Sequence, residues 1–297
     1  MAKALPRRAF IERVVFATGG MALLSLTGCQ AASSERLWPA SKSSLGGKFT
    51  PQPLTAPTLT PTLQENPVTN SFRARQTYAM LVRRFKVPDT GLFFEHVEAR
   101  PDDRAVSYLW PYSSVISGVN ALARMPQVGD EYYDELERLL DGLNEYYDKY
   151  SEPTAYDSYI KSAGGGDKFY DDNEWLGLEF LDAYRTLRLP VYLEKAKEMF
   201  RFAISGWSED LGGGIYWKQN DTSTRNTCSN GPAAVLALGL YQETKDVSYL
   251  NWAKKIMKWL ESLKSPDTGV YWDHITQTGM IDKRTYTYNV GTPLHAN

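Results

Sequence analysis

PDTGLFF (Pro88–Phe94) and PDTGVYW (Pro266–Trp272) are two distant copies of one module, a turn followed by aromatics. LGGGIYW (Leu211–Trp217) is a third version and AGGGDKFYDD (Ala163–Asp172) a weaker fourth. Self-similarity of this kind marks a repeat architecture. Amphipathic, charged helices accompany the turns: EYYDELERLLDGLNEYYDKY (131–150), VYLEKAKEMFRFAI (191–204) and VSYLNWAKKIMKWLESL (247–263). Their apolar residues recur at three-to-four spacing, which predicts one buried stripe each. After each turn comes a second kind of helix, rich in small and apolar residues: VISGVNALA (115–123), EWLGLEFLDAY (174–184), GPAAVLALGLY (231–241) and VGTPLHA (290–296). Small residues allow close packing on all sides, as an inner layer requires.

The unit is therefore outer helix, aromatic turn, polar–aromatic junction, inner helix. Junctions near Trp110, Asp171, Asn226 and Tyr288 recur at about 60 residues, too long for tetratricopeptide or armadillo repeats. This predicts an all-α toroid of helical hairpins whose inner helices all point the same way. About four hairpins are present where six would close a ring, and the sequence stops within the inner helix that begins near Val290. The expectation is a toroid truncated at its C-terminus. Because every junction precedes an inner helix, WPYS (Trp110–Ser113), YDDNEW (Tyr170–Trp175), NTCSNG (Asn226–Gly231) and YTYNVG (Tyr286–Gly291) converge on one face. Asn and Ser there also suit plain helix capping.

Composition narrows the function. A net charge of −2 excludes a global basic field for nucleic acid. Two Cys make no disulfide framework, and His96, His274 and His295 are too scattered for a zinc site. HExxH, GxxxxGK[ST] and GxGxxG are absent, so neither metal nor cofactor is expected. The aromatic load of 8 Trp, 19 Tyr and 11 Phe suits a large core, a carbohydrate-binding cleft, or both.

Residues 1–28 read as an export signal, with a basic start (Lys3, Arg7, Arg8, Arg13) and an apolar, Gly-broken run from Val14 to Leu26. RRAFI resembles a twin-arginine signal. LTGC (Leu26–Cys29) reads as a lipobox, implying cleavage before Cys29 and lipidation of its thiol; an ordinary signal peptide with an incidental Cys is the alternative. Residues 29–70 then form a lipidated Cys and a disordered Ser/Thr/Pro linker, and 71–297 the folded domain. The expectation is an exported lipoprotein held at a membrane, a monomer, with Cys228 a buried small hydrophobe.

Asp171-Asp172 is the one constellation that suggests chemistry. Retaining glycosidases use two carboxyl groups about 5–5.5 Å apart and inverting ones roughly 6.5–9.5 Å. Neighbouring aspartates can meet the shorter figure, and their repulsion raises one pKa, leaving one acid and one nucleophile. The same D-D-N-E run is also a capping box, with Asp171 as cap and Glu174 at its third position.

YDDNEWLGLEFLDAY (170–184) resembles the catalytic segment of glycoside hydrolase family 76, the bacterial endo-α-1,6-mannanases, and GGGIYW, NTCSNGPAAVLALGLY and YTYNVGT extend the similarity across about residues 71–297. The resemblance implies an (α/α)6 barrel in which Asp171 is the nucleophile and Asp172 the acid/base. It implies that Trp175 and Trp217 are sugar platforms and that Thr287 and Asn289 bond sugar hydroxyls. Trp110, Asn173, Asn226 and Tyr288 complete the expected substrate-binding set at the junctions. Tyr286 stands where the family often has Trp and Val290 where a polar residue is common, which bears on subsite preference. Trp252 and Trp259, at i and i+7 of an outer helix, read as core, while Trp272 shares the loop face. The glycine triplets 164–166 and 212–214 read as tight turns.

The functional expectation is cleavage of α-1,6-mannosidic linkages in mannan-type glycans with retention. The alternatives are another (α/α)6 enzyme, such as an unsaturated-uronide hydrolase or sugar epimerase, and a non-catalytic helical glycan-binding lipoprotein. A single acyl chain holds a protein only reversibly, so stable anchoring needs the multiply acylated Cys29. Cys29→Ser is accordingly expected to move the protein from the membrane to the soluble fraction on cell fractionation; equal partitioning of variant and wild type rejects the lipobox.

Overall fold

The computed structural model describes residues 69–98 and 103–297. The export signal, Cys29 and the linker up to residue 68 lie outside the described residues. Among the described residues eight α-helices follow one another: α1 (Asn70–Phe85), α2 (Leu109–Ala123), α3 (Tyr133–Gly142), α4 (Tyr170–Leu187), α5 (Pro190–Ser205), α6 (Thr227–Thr244), α7 (Val247–Leu260) and α8 (Thr287–Ala296). Each junction read from the sequence coincides with the start of α2, α4, α6 or α8. Those four lie side by side in chain order, with α3 against α2, α5 against α4 and α6, and α7 against α6 and α8.

The two layers differ in what they bury. The inner helix α6 is buried on every side along most of its length, as its small and apolar residues require. On the outer helices burial is a stripe: Leu136, Leu139 and Leu140 on α3, and Ala253, Ile256, Trp259 and Leu260 on α7. Trp259 is core as expected, while Trp252 packs half-buried at the edge of that core. Close approach of α4 to α6 depends on Gly177, where a Cβ would stand 2.4 Å from Leu236.

The repeated turns close in the same way. Isolated bridges join Lys86 to Phe93, Lys264 to Tyr271 and Trp207 to Ile215, one for each of the three clearest module copies. Gly212, Gly213 and Gly214 all have positive φ, as tight-turn glycines should. At Gly214 the backbone runs so close to Trp259 that a Cβ would fall 2.6 Å from its ring.

Two features depart from the expectation. The charged segment 131–150 is not one helix: α3 ends at Gly142, and the chain turns into β1 (Tyr147–Asp148), which pairs antiparallel with β2 (Ala155–Tyr156). Burial of Tyr146, whose hydroxyl donates to Ser107 O at 2.7 Å, holds that turn. The aromatic turns also lead into a four-stranded antiparallel sheet, β3 (Tyr216–Lys218), β4 (Asp221–Asn226), β5 (His274–Thr276) and β6 (Ile281–Asp282), in chain order. Strand β4 runs directly into α6, so the sheet braces an inner-helix entrance.

A repeated clasp locks the entrances of α4 and α6. In the first turn of α4, Asn173 Oδ1 accepts from Tyr156 N–H at 2.8 Å, and its Nδ2 donates to Tyr156 O and Phe169 O. In the first turn of α6, Asn230 Oδ1 accepts from Ile215 N–H at 2.9 Å, and its Nδ2 donates to Ile215 O and Asn226 O. Both side chains have zero exposure. Each amide thus also reaches the carbonyl four residues back, and it satisfies both polar groups of one upstream residue, groups that burial would otherwise leave unpaired. Asn230→Ala orphans these groups at a cost of roughly 1–3 kcal/mol each. It should therefore lower the melting temperature sharply in calorimetry, whereas a shift of a degree or two would show that the clasp is dispensable.

Candidate active site

The second residues of the four inner helices are Trp110, Asp171, Cys228 and Tyr288. The helix N-termini bring these positions to one face, and the site is built on them. On α4 the cap position belongs to Phe169, which is extended and makes no side-chain capping bond. Phe169 is held instead by its bridge to Lys218 and by Gln219 N–H donating to Lys168 O. Asp171 and Asp172 are therefore the second and third helical residues, and the capping-box reading of D-D-N-E does not hold. Glu174 turns into the interior with zero exposure rather than reaching back to the cap.

The bridge also brings Trp217 to the pair, its ring 5.0 Å from that of Phe169. Burial is the largest influence on Asp171 and raises its carboxyl from 3.8 to about 6. The Cys228 thiol, the backbone N–H groups of the helix start and the Trp217 side chain oppose that rise. Asp172 is pushed well above the carboxylate range, first by burial and then by the charge of Asp171. Asp171 therefore ionises first and Asp172 keeps its proton, the division an acid and a nucleophile require. Glu174 is raised well above its ordinary value by burial and by Asp171, with only the Ala233 backbone N–H opposing.

The other expected contacts separate into two groups. Trp110, Trp217, Thr287 and Tyr288 are exposed, and Trp175 is half-buried. Tyr288 stacks on Tyr286 with centroids 5.5 Å apart and planes 10° apart, a paired aromatic surface. The asparagines are committed to the protein instead. Asn173 spends both ends of its amide on the clasp, which corrects its assignment to substrate. Asn226 is buried and accepts from Thr224 Oγ1 at 2.7 Å, and its side chain makes no capping bond at the start of α6. Asn289 is fully buried and donates to Asp273 Oδ1 at 3.2 Å, so it braces α8 against the strand entrance rather than reaching a sugar.

Sequence reasoning missed two members of the site. Cys228 is buried as expected, but its place in α6 matches that of Asp171 in α4, and its thiol faces that carboxyl. Helical spacing of three residues from Asp171 was the available signal for Glu174. Asp273, His274 and Asp282 form the one grouping of metal-ligand type found among the described residues. Their charges are already answered internally: His274 Nδ1 lies 2.9 Å from Asp273 Oδ2, and Arg284 forks onto Asp282.

The family model described as glycosyl hydrolase family 76 matches residues 73–297. The chain is 29% identical to the α-1,6-mannanase GH76A of Salegentibacter sp. HEL1_6, with a TM-score of 0.63 over 76% of this chain and 62% of that one. A further structure of that enzyme is an inactive variant with two consecutive Asp changed to Asn, in complex with α-1,6-mannotriose. The GH76 α-mannanase of Bacteroides thetaiotaomicron, at 24% identity, shares the fold with a TM-score of 0.70 over 77% of this chain and 64% of that one. Mannan endo-1,6-alpha-mannosidase DCW1 of Candida glabrata is 29% identical over 116 residues, 35% of this chain and 26% of that protein. The chain thus spans less than two thirds of the length of each of these proteins.

Because the folded-state pKa of Asp171 lies above its unfolded value, the folded state holds that proton more tightly. Stability is then fullest below the unfolded value and falls as pH rises through about 6. Asp171→Asn is expected to melt higher than wild type at pH 8, by roughly 1–3 kcal/mol, and to converge with it at pH 4. A variant that melts lower at pH 8 would contradict the burial argument. The repeat of inner helices, the acid pair at the α4 entrance and the match over residues 73–297 agree: the chain belongs to glycosyl hydrolase family 76, whose fold is the (α/α)6 toroid.

Proposed function

We propose that this protein is a retaining glycoside hydrolase that cleaves α-1,6-mannosidic linkages in mannan-type glycans. The observation that carries the reading is Asp171-Asp172 in the first turn of α4, one carboxyl inclined to ionise and the other to stay protonated. Consecutive carboxyl groups suit the short separation of a double displacement. Ionised Asp171 attacks the anomeric carbon while Asp172 gives its proton to the glycosidic oxygen. Asp172 then takes a proton from the water that releases the sugar from Asp171. Trp110, Trp217 and Tyr288 are exposed around the helix entrances, where sugar faces stack on aromatic rings. The inactive double-Asn relative bound to α-1,6-mannotriose supports both the pair and the linkage. No cofactor is assigned. LTGC, which reads as a lipobox ending at Cys29, supports an exported, membrane-anchored protein that meets its glycan outside the cytoplasm.

Hydrolysis of α-1,6-mannan by the full chain tests the reading. Asp171→Asn and Asp172→Asn should each cost several orders of magnitude in turnover while the protein stays folded. An activated aryl mannoside should partly restore Asp172→Asn, because a good leaving group needs little protonation, and should not restore Asp171→Asn. The first product seen by NMR should be the α-anomer. Turnover should fall below about pH 6 as Asp171 takes up its proton. Near-normal hydrolysis by both variants, or a β-anomer first, would overturn the proposal.

A further inference from the structure

Glu174 lies three residues after Asp171 on α4, so the two share one face of the helix. Its carboxyl group has zero exposure, no side-chain donor reaches either oxygen, and only the Ala233 backbone N–H favours its ionised form. Asp171 Oδ1 is likewise buried and without a partner. A buried carboxylate with no counter-charge and no side-chain donor is strongly disfavoured, and the neutral acid is the form such a site accepts. The ionisable groups facing Glu174 are Asp171 and Tyr170 from α4 and Cys228 from α6. None of them is a cation.

We propose that Glu174 is a positioning residue for the nucleophile, a neutral carboxylic acid whose O–H donates to Asp171 Oδ1. The proposal rests on the reading of Asp171 as nucleophile. Since Oδ1 is closed to solvent, attack on the sugar falls to Oδ2. In the covalent intermediate Oδ1 becomes the carbonyl oxygen of the ester, and when water releases the sugar, negative charge returns to it. A donor fixed on Oδ1 orients the carboxyl for attack and stabilises it as the leaving group. Unlike a lysine or arginine in the same place, a neutral acid adds no charge to the pocket.

Glu174→Gln keeps a donor of nearly the same shape, and Glu174→Leu fills the space with none. Turnover of α-1,6-mannan should fall about threefold in the Gln variant and about 10² in the Leu variant, the scale of a lost transition-state donor. The acid limb of the pH profile should move up by about one unit in the Leu variant and stay in place in the Gln variant. A purely structural role predicts the opposite ranking, because a well-packed Leu suits a buried site better than an unpartnered acid, so the melting order Leu above Gln should accompany the activity order Gln above Leu. Infrared difference spectra of wild type minus the Gln variant at pH 7 should show one carboxylic-acid carbonyl stretch. Should the Leu variant not fold, that band and the Gln pH profile decide. An ionised Glu174 would give no such band, and its replacement by Gln would move the acid limb down, as removal of a like charge must; either result overturns the proposal, as does wild-type turnover by the Leu variant. If Asp171→Asn itself stays active, the nucleophile assignment has failed instead.

Discussion

The site depends on satisfying buried backbone at the points where loops enter the inner helices. The entrances of α4 and α6 each meet an extended segment whose N–H and C=O groups are cut off from water, and an unpaired group there costs about as much as a lost hydrogen bond. Asn173 and Asn230 solve the problem with one amide each, joined to Tyr156 and Ile215. The consequence for chemistry is positional. Asp171 stands two residues before the first clasp and Cys228 two before the second, so the bonds that hold the loops also hold the carboxyl and the thiol that face each other.

Charge in the site is arranged against stability. Three carboxyl groups, those of Asp171, Asp172 and Glu174, crowd the first turns of α4, and burial drives all three upward. Glu179, further along the same helix, is raised to about 7 despite accepting from Asn120 Nδ2 at 2.7 Å. Every such shift makes the folded protein lose stability as pH rises above the ordinary carboxylate range. The helix N-terminus offers partial relief, since its N–H groups favour an anion, and that relief falls on Asp171 rather than evenly across the three. Strain of this kind concentrates where reactivity is needed.

Around the acid pair the surface is aromatic rather than charged. Trp110, Trp217 and the stacked Tyr286–Tyr288 pair are all exposed at helix entrances. Stacking of Tyr286 on Tyr288 joins the two rings into one broader face. The small sheet has a part in this, because β3 carries Trp217 to the start of α4 through the Phe169–Lys218 bridge.

The sequence by itself determined the layered helical repeat, because apolar periodicity and small-residue content are local properties that survive without knowledge of contacts. It also located the four inner-helix entrances and the acid pair, since the junction motifs recur in register with the repeat. The roles of Asn173, Asn226 and Asn289 were decided only by the tertiary structure: an amide at a helix entrance looks the same whether it faces a sugar or a buried carbonyl. The boundary of α4 was decided the same way, because a backbone bridge from Phe169 to a strand 49 residues away, not a side-chain cap, sets where that helix begins. Glu174 shows the limit most clearly. Its identity suggested a cap, and only the packing of α6 over α4, which removes it from water and from every side-chain donor, raises its carboxyl well above the ordinary range beside Asp171.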